Sequence, residues 1–460
     1  MLKTFIPQAE FIFGLNEESL TKLIKGVFVE QSISESFVNG VKAVIAELKQ
    51  GNLTVNYGGK LETDSNWLKI GKSAVNELGF EYSEITNNGT IKFTSEESAT
   101  EAVYLFNEII GNGTLMLDNK TNIMTAQSIA NKIENSGILT IAIENATNQI
   151  VNNGTLNAGK GNFVNTITGE GDLVLTGNKY TEKVEDDDGD KLLVIEEEQA
   201  TGSDLVTKNT TTITQNSLTV KENVEFHTPL ENIVIKNNIL NDGTFVIDST
   251  VVSGSKTNIN IVNNITDTTG GDTKGTLKIV GTNVTNNNNK NIKQASLIID
   301  DNSSSLATNI TNLDIKGNII NKGTVTLSGN GTLQNAVTEA GKLIIDNATI
   351  TVTNTIDNSV EVHEDSILTA QEDGKVISGT INNGGTLNIR AANIGNVVTN
   401  SGKVSLDTGT LNKNIIGGKL FFVSSNGMLV GSQGVINAGS LVVTTPKTNY
   451  FFPSGSGEPI

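Results

Sequence analysis

The chain contains no cysteine. Disulfides, thiolate nucleophiles and zinc-thiolate sites are therefore excluded. Aromatic residues make up 5% of it, with a single Trp, and there are 5 Pro in 460 residues. Arg390 is the only arginine. With 32 basic against 50 acidic side chains the net charge is −18. A nucleic-acid binder needs clustered Lys and Arg to neutralise phosphates. That class is disfavoured, as are anionic membrane surfaces. No apolar run approaches the roughly 18–20 residues that span a bilayer. The first fifteen residues, MLKTFIPQAEFIFGL, are broken by Pro7, Gln8 and Glu10 and make a poor export signal.

What is abundant is Gly, at 46 residues, and Asn, at about 60. Low aromatic and high polar content suits disorder. Disorder has no need, however, for Ile, Val, Leu and Thr in ordered alternation, and that alternation recurs here. NNGTIKF at 87–93, GNGTLML at 111–117, NSGILTIAI at 135–143, NNGTL at 152–156, NDGTFVI at 241–247, NKGTVTL at 321–327 and NGGTLNI at 383–389 each set a short strand after one kind of turn. Such repetition is the signature of a solenoid, here mainly β with a thin aliphatic core. Gly89, Gly113 and Gly137 are 24 residues apart, within the solenoid range. Asn tolerates left-handed turns and can stack in hydrogen-bonded ladders between rungs, which explains its excess without a binding role.

Five regions follow. Residues 1–50 read as helix, with a first apolar face at Leu20, Leu23, Ile24, Val27 and Phe28. A second face runs through Phe37, Val38, Val41, Val44, Ile45 and Leu48. This segment is expected to cap the solenoid or to mediate assembly. Residues 51–178 read as early rungs carrying helical insertions at 65–78, 96–110 and 121–133. Residues 179–203 leave the pattern: two alternating arms flank Asp188-Gly189, a favoured hairpin turn. Residues 204–445 resume the solenoid, and 446–460 form a tail containing Tyr450-Phe451-Phe452-Pro453.

The stretch TGEGDLVLTGNKYT at 168–181 resembles the repeat of bacterial autotransporter passenger regions, roughly G-x-G-x-L-x-L-x-G-x-N-x-Y-T-G. Gly169, Gly171, Leu173, Leu175 and Gly177 fall in place. Asn178, Tyr180 and Thr181 match with the spacing one residue shorter, and Glu182 stands where the last glycine would be. The resemblance implies a right-handed parallel β-helix displayed outside an outer membrane. Its partners would be a host or neighbouring-cell surface, or copies of itself.

Candidate chemistry is sparse. The acidic insert offers clustered oxygens for Ca²⁺ at Asp186, Asp188 and Asp190, without EF-hand spacing and without an RTX-type repeat. A solvated, charged hairpin is the simpler reading. His227 lies near Glu225, and His363 is followed by Glu364. The two histidines fall in different rungs and are read as turn or surface residues. Asp300 with Asp301, and Glu361 with Glu364 and Asp365, are local acidic pairs of the kind a β-helical glycan hydrolase or lyase needs. Solvated turn carboxylates are commoner. The Thr run at Thr207, Thr210, Thr211, Thr212 and Thr214 reads as a solvent-facing stripe, and Trp67 as part of the cap core.

No catalytic residue and no cofactor is assigned. The expected function is that of a non-enzymatic bacterial surface protein, structural or adhesive and extracellular. A self-assembling surface-layer or filament subunit is the first alternative, and a β-helical glycan-active enzyme or tailspike the second.

Overall fold

The computed structural model describes residues 42–43 and most of 53–444. A strand with an aliphatic residue at every second position exposes one greasy face, and here the next coil of the same chain continues that face. Ile91 pairs with Leu115, Leu115 with Ile133, Ile133 with Ile150, Ile150 with Ile167, Ile167 with Ile213 and Ile213 with Ile233. Every pair is parallel, and every member of the column is buried. The fold is a parallel β-solenoid. Each buried Ile or Leu contributes about 1.5–3 kcal/mol relative to exposure, which makes these columns the main source of stability.

The chain forms two units, 1–227 with 231–243 and 228–230 with 244–460. In the first, Ile109–Ile110, Thr114–Leu117 and Thr121–Met124 follow one another into three different sheets, so the chain turns a corner after each strand. The second unit is built the same way. One of its columns runs Leu306, Val325, Leu343, Val360, Ile381, Val398, Ile415 and Ile436. Many coils take 17 residues, as from Ile133 to Ile150 to Ile167 and again from Ile381 to Val398 to Ile415, and the step from Lys403 to Lys419 takes 16. Longer coils differ in their corners.

Several sequence expectations are revised. The 24-residue glycine spacing is one rung from Gly89 to Gly113 but is not a constant period. Gly89 and Gly113 occupy equivalent corners, since Thr90 pairs with Thr114, but Gly137 sits one corner later, after the strand Lys132–Asn135. The expected helical insertions contain strands. Within 65–78 lie Trp67–Leu68 and Val75–Asn76, within 96–110 lie Val103–Leu105 and Ile109–Ile110, and 121–133 begins with Thr121–Met124. Their apolar residues fit a helical template over one turn. Pairing to neighbouring coils, such as Tyr104 with both Trp67 and Ile123, overrides that local preference. Of the expected N-terminal helix only Lys42–Ala43 is described, as a strand paired with Glu62 and Thr63. The rest of 1–50 and the tail 446–460 lie outside the described residues. No helix among the described residues is long and apolar enough to cross a membrane.

Corners carry a second, polar core. Asn135 and Asn152, stacked in adjacent rungs, are both buried, and Asn135 Nδ2 donates to Asn152 Oδ1 at 2.7 Å. Asn383 and Asn400 repeat the arrangement at 2.7 Å. Elsewhere the amides reach across an intervening rung. Asn87 Nδ2 donates to Asn131 Oδ1 at 2.6 Å past Gly111, and Asn152 Nδ2 to Gln215 Oε1 at 2.6 Å past Gly169. Asn321 Nδ2 donates to Asn358 Oδ1 at 2.5 Å past Glu339. The residue stepped over has a positive φ each time: 99° at Gly111, 119° at Gly169 and 77° at Glu339. At Gly169 a Cβ would lie 2.2 Å from the Asn152 carbonyl oxygen, so only glycine fits. The remaining amide hydrogens satisfy corner carbonyls that no strand reaches. Asn131 Nδ2 donates to Gly111 O at 2.9 Å and Asn358 Nδ2 to Glu339 O at 2.7 Å. The expected asparagine ladder is thus present, on the inside of the coil.

Candidate functional site

The insertion expected at 179–203 is a two-stranded antiparallel ribbon. Asn178–Asp187 pairs with Asp190–Gln199 in unbroken register from Asn178 opposite Gln199 to Asp187 opposite Asp190. Residues 188–189, between the arms, lie outside the described residues. The solenoid closes beneath the ribbon without losing register: Leu156 pairs with Leu173, and Leu173 with Leu218 on the far side of the insertion. The ribbon base is tied down where Lys160 N donates to Asn178 O at 3.0 Å. Asp186 stands opposite Lys191, one position out of step with the Asp187–Asp190 pair. Asp188 lies outside the described residues. Among the described residues, no group of three or more His, Asp or Glu is placed to hold a metal ion.

The acidic pairs do not act as pairs. Asp300 Oδ2 faces Lys278 Nζ at 3.4 Å. Asp301 instead folds its own turn, with Oδ1 accepting from Ser303 Oγ at 2.6 Å, Ser303 N at 2.8 Å and Ser304 N at 2.9 Å. The Ser303 hydroxyl bond, with the amide bonds, holds the Asp301 carboxyl below its usual range. A carboxylate of this kind that the sequence did not single out is Asp267, which is buried. Burial alone would raise its pKa. Hydrogen bonds from the Thr269 hydroxyl and from the amides of Thr273, Lys274 and Gly270 outweigh that and lower it.

Each histidine finds a carboxylate. On the outer face of Val224–Thr228, His227 Nε2 lies 2.8 Å from Glu225 Oε1. For His363 the partner is not Glu364. Its Nδ1 lies 2.9 Å from Asp346 Oδ1, one rung away, and its Nε2 3.3 Å from Glu361 Oε1. Glu361 Oε2 accepts from Lys342 Nζ at 2.8 Å. Register explains the assembly. Ile344 pairs with Glu361 and Ile345 with Val362, so positions 17 apart are stacked and Asp346 stands against His363. The signal was in the sequence as a 17-residue offset, hidden until the rung length was known. Of the expected set Glu361, Glu364 and Asp365, only Glu361 joins the network; Glu364 and Asp365 are exposed in the turn.

The corner at this network is also the widest in its column. Two residues lie between the paired positions Leu327 and Asn330, three between Ile345 and Thr349, and four between Val362 and Ile367. The count then returns to two between Asn383 and Thr386. Each of the two enlarged corners holds a left-handed residue, Asn347 at φ 49° in the first and Asp365 at φ 63° in the widest. The Lys342 hydrogen bond holds Glu361 below the usual carboxylate range, and the Asp346 hydrogen bond raises the imidazole pKa of His363. Of the Thr stripe, Thr212 and Thr214 are described, and both are half-buried on the coil surface. Comparison with family models, with curated proteins and with solved structures gives no match to this chain.

Proposed function

We propose that this chain is a non-enzymatic bacterial surface protein that works by display. A self-supporting solenoid carries the acidic ribbon at 178–199 outward, for contact with a host or neighbouring-cell surface. The observation that carries this reading is the ribbon itself: twenty paired residues inserted between two coils whose aliphatic columns stay in register. Insertions on one face of a solenoid are where such proteins place their binding loops. The commitment of Asp300 to a lysine and of Asp301 to its own turn supports the non-enzymatic reading. The test replaces 178–199 with a short glycine linker and measures adhesion of protein-coated beads to bacterial and host cells. Adhesion lost with the solenoid's circular dichroism unchanged supports display by the ribbon; undiminished adhesion overturns it. Release of product from acidic polysaccharides by the intact chain would overturn the non-enzymatic reading.

A second reading, self-assembly into a layer or filament, is favoured by the last described strand, Ser440–Thr444. It pairs with Lys419–Val423, and its Leu441 and Val443 are about half exposed. Negative-stain images of the purified chain separate the two: single particles support display, and fibres or lattices support assembly.

A further inference from the structure

The wide corner at 363–366 joins two rungs through one titratable ring. We propose that it is a pH-dependent clasp, tight while His363 is an imidazolium and loosened when the ring is neutral. The charged form carries an N–H on both nitrogens. It donates to Asp346 of the preceding rung at 2.9 Å and faces Glu361 of its own rung at 3.3 Å. A neutral imidazole has one N–H and serves one carboxylate only, so the other is left facing a bare nitrogen. Glu361 keeps Lys342, at 2.8 Å, so the single N–H stays on Nδ1 with Asp346, and what the neutral ring gives up is its charge attraction to both carboxylates. Asp346 immediately precedes left-handed Asn347, so the weaker attraction loosens the lower corner as well as the upper one.

The other elements packed here bring no competing charge. The preceding rung presents Thr326 and Ser328, and the following rung presents Asn382, Gly384 and Gly385. Glu364 and Asp365, in the turn itself, add negative potential that favours the imidazolium. The sign follows from the direction of the shift. The Asp346 bond raises the folded pKa of His363, so the clasp's contribution is complete below the unfolded value of about 6.5. It is lost as pH rises through the higher folded value. On the acid side the clasp persists until the carboxylates protonate, and Glu361 is held low by Lys342.

The backbone offers the readout. His363 N donates to Ile345 O at 3.0 Å across the rungs, and Ser366 N donates to His363 O at 3.2 Å within the turn. Amide hydrogen exchange of the whole chain, corrected for the intrinsic rate at each pH, is compared at about pH 5.5 and about pH 8.5. Protection at His363 and Ser366 is expected to fall about 2–5-fold at the higher pH, the scale of one exposed ion pair. Amides at Val398–Asn400 are expected to stay constant and so report that the solenoid is intact. His363→Gln should hold protection at the alkaline level at both pH values, and Asp346→Asn should move the transition to lower pH. Unchanged protection in the native chain, the same pH dependence in His363→Gln, or an unmoved transition in Asp346→Asn overturns the clasp.

Discussion

Two corners of this molecule solve one problem with different residues. In the first unit Asn152 reaches Gln215 across the rung that holds Gly169. In the second, Asn321 reaches Asn358 across the rung that holds Glu339. Both bridges place a buried side-chain amide where corner carbonyls have no strand partner. Both step over a residue with positive φ, which carries no side chain into the polar column. The difference is the angle. At 119° the Gly169 backbone lies where only glycine goes, whereas 77° at Glu339 is close to the left-handed region that L residues enter at a cost. The lesson is that the bridge is the constant feature, and that glycine is required only where the backbone is forced past the left-handed basin.

The hardest way to break the comparison is to remove the amide. Asn152→Leu and Asn358→Leu should each cost about 3 kcal/mol, because each leaves a buried partner amide and two or more carbonyls without hydrogen bonds. Chemical denaturation followed by circular dichroism would read this. A cost under about 1 kcal/mol in either would show that the bridges are incidental to stability. The backbone comes next. Gly169→Ala should cost about 2–3 kcal/mol, since it adds both a forbidden φ and a contact with the Asn152 carbonyl oxygen. Glu339→Gly should do the reverse and stabilise by about 0.5–1 kcal/mol, by relieving a left-handed L residue at some loss to chain entropy. A melting temperature that falls in Glu339→Gly would refute the explanation by angle.

Acid sharpens the comparison least but most selectively. Amide bridges do not titrate, so the cost of Asn358→Leu should be the same at about pH 7 and about pH 3.5. Asp267 differs. Its folded pKa is lowered, so its contribution is complete above the unfolded value of about 3.9 and is lost as pH falls through the folded one. The destabilisation in Asp267→Asn should therefore shrink by about 1 kcal/mol at the acid end, measured by the same denaturation.

Much of this was legible beforehand because it is local. The alternation at Leu173 and Leu175, or at Leu387 and Ile389, buries the residues it predicts. The two arms expected on either side of 188–189 are of equal length and pair throughout. What failed did so for one reason. Residues 96–110 and 121–133 satisfy a helical pattern over a turn or two, and local propensity has no term for a neighbouring coil that offers a strand. The glycine spacing holds for one rung, Gly89 to Gly113, and then fails at Gly137, because two different corners use the same residue and a period can be counted across both. In the sequence His363 stands beside Glu364. Its actual partners are Glu361, two positions back on the same face of a strand, and Asp346, 17 positions back and one rung away.

Composition and alternation determined that this chain forms strands, that its core is aliphatic and thin, that asparagine fills its turns and that a hairpin leaves the stack near 188. Such properties follow from what each residue does with its immediate neighbours. The length of each coil, the corner that each glycine occupies, the burial of the asparagines and the company His363 keeps were decided by register. Register is set when aliphatic columns and polar corners must align together, and no single rung contains that information.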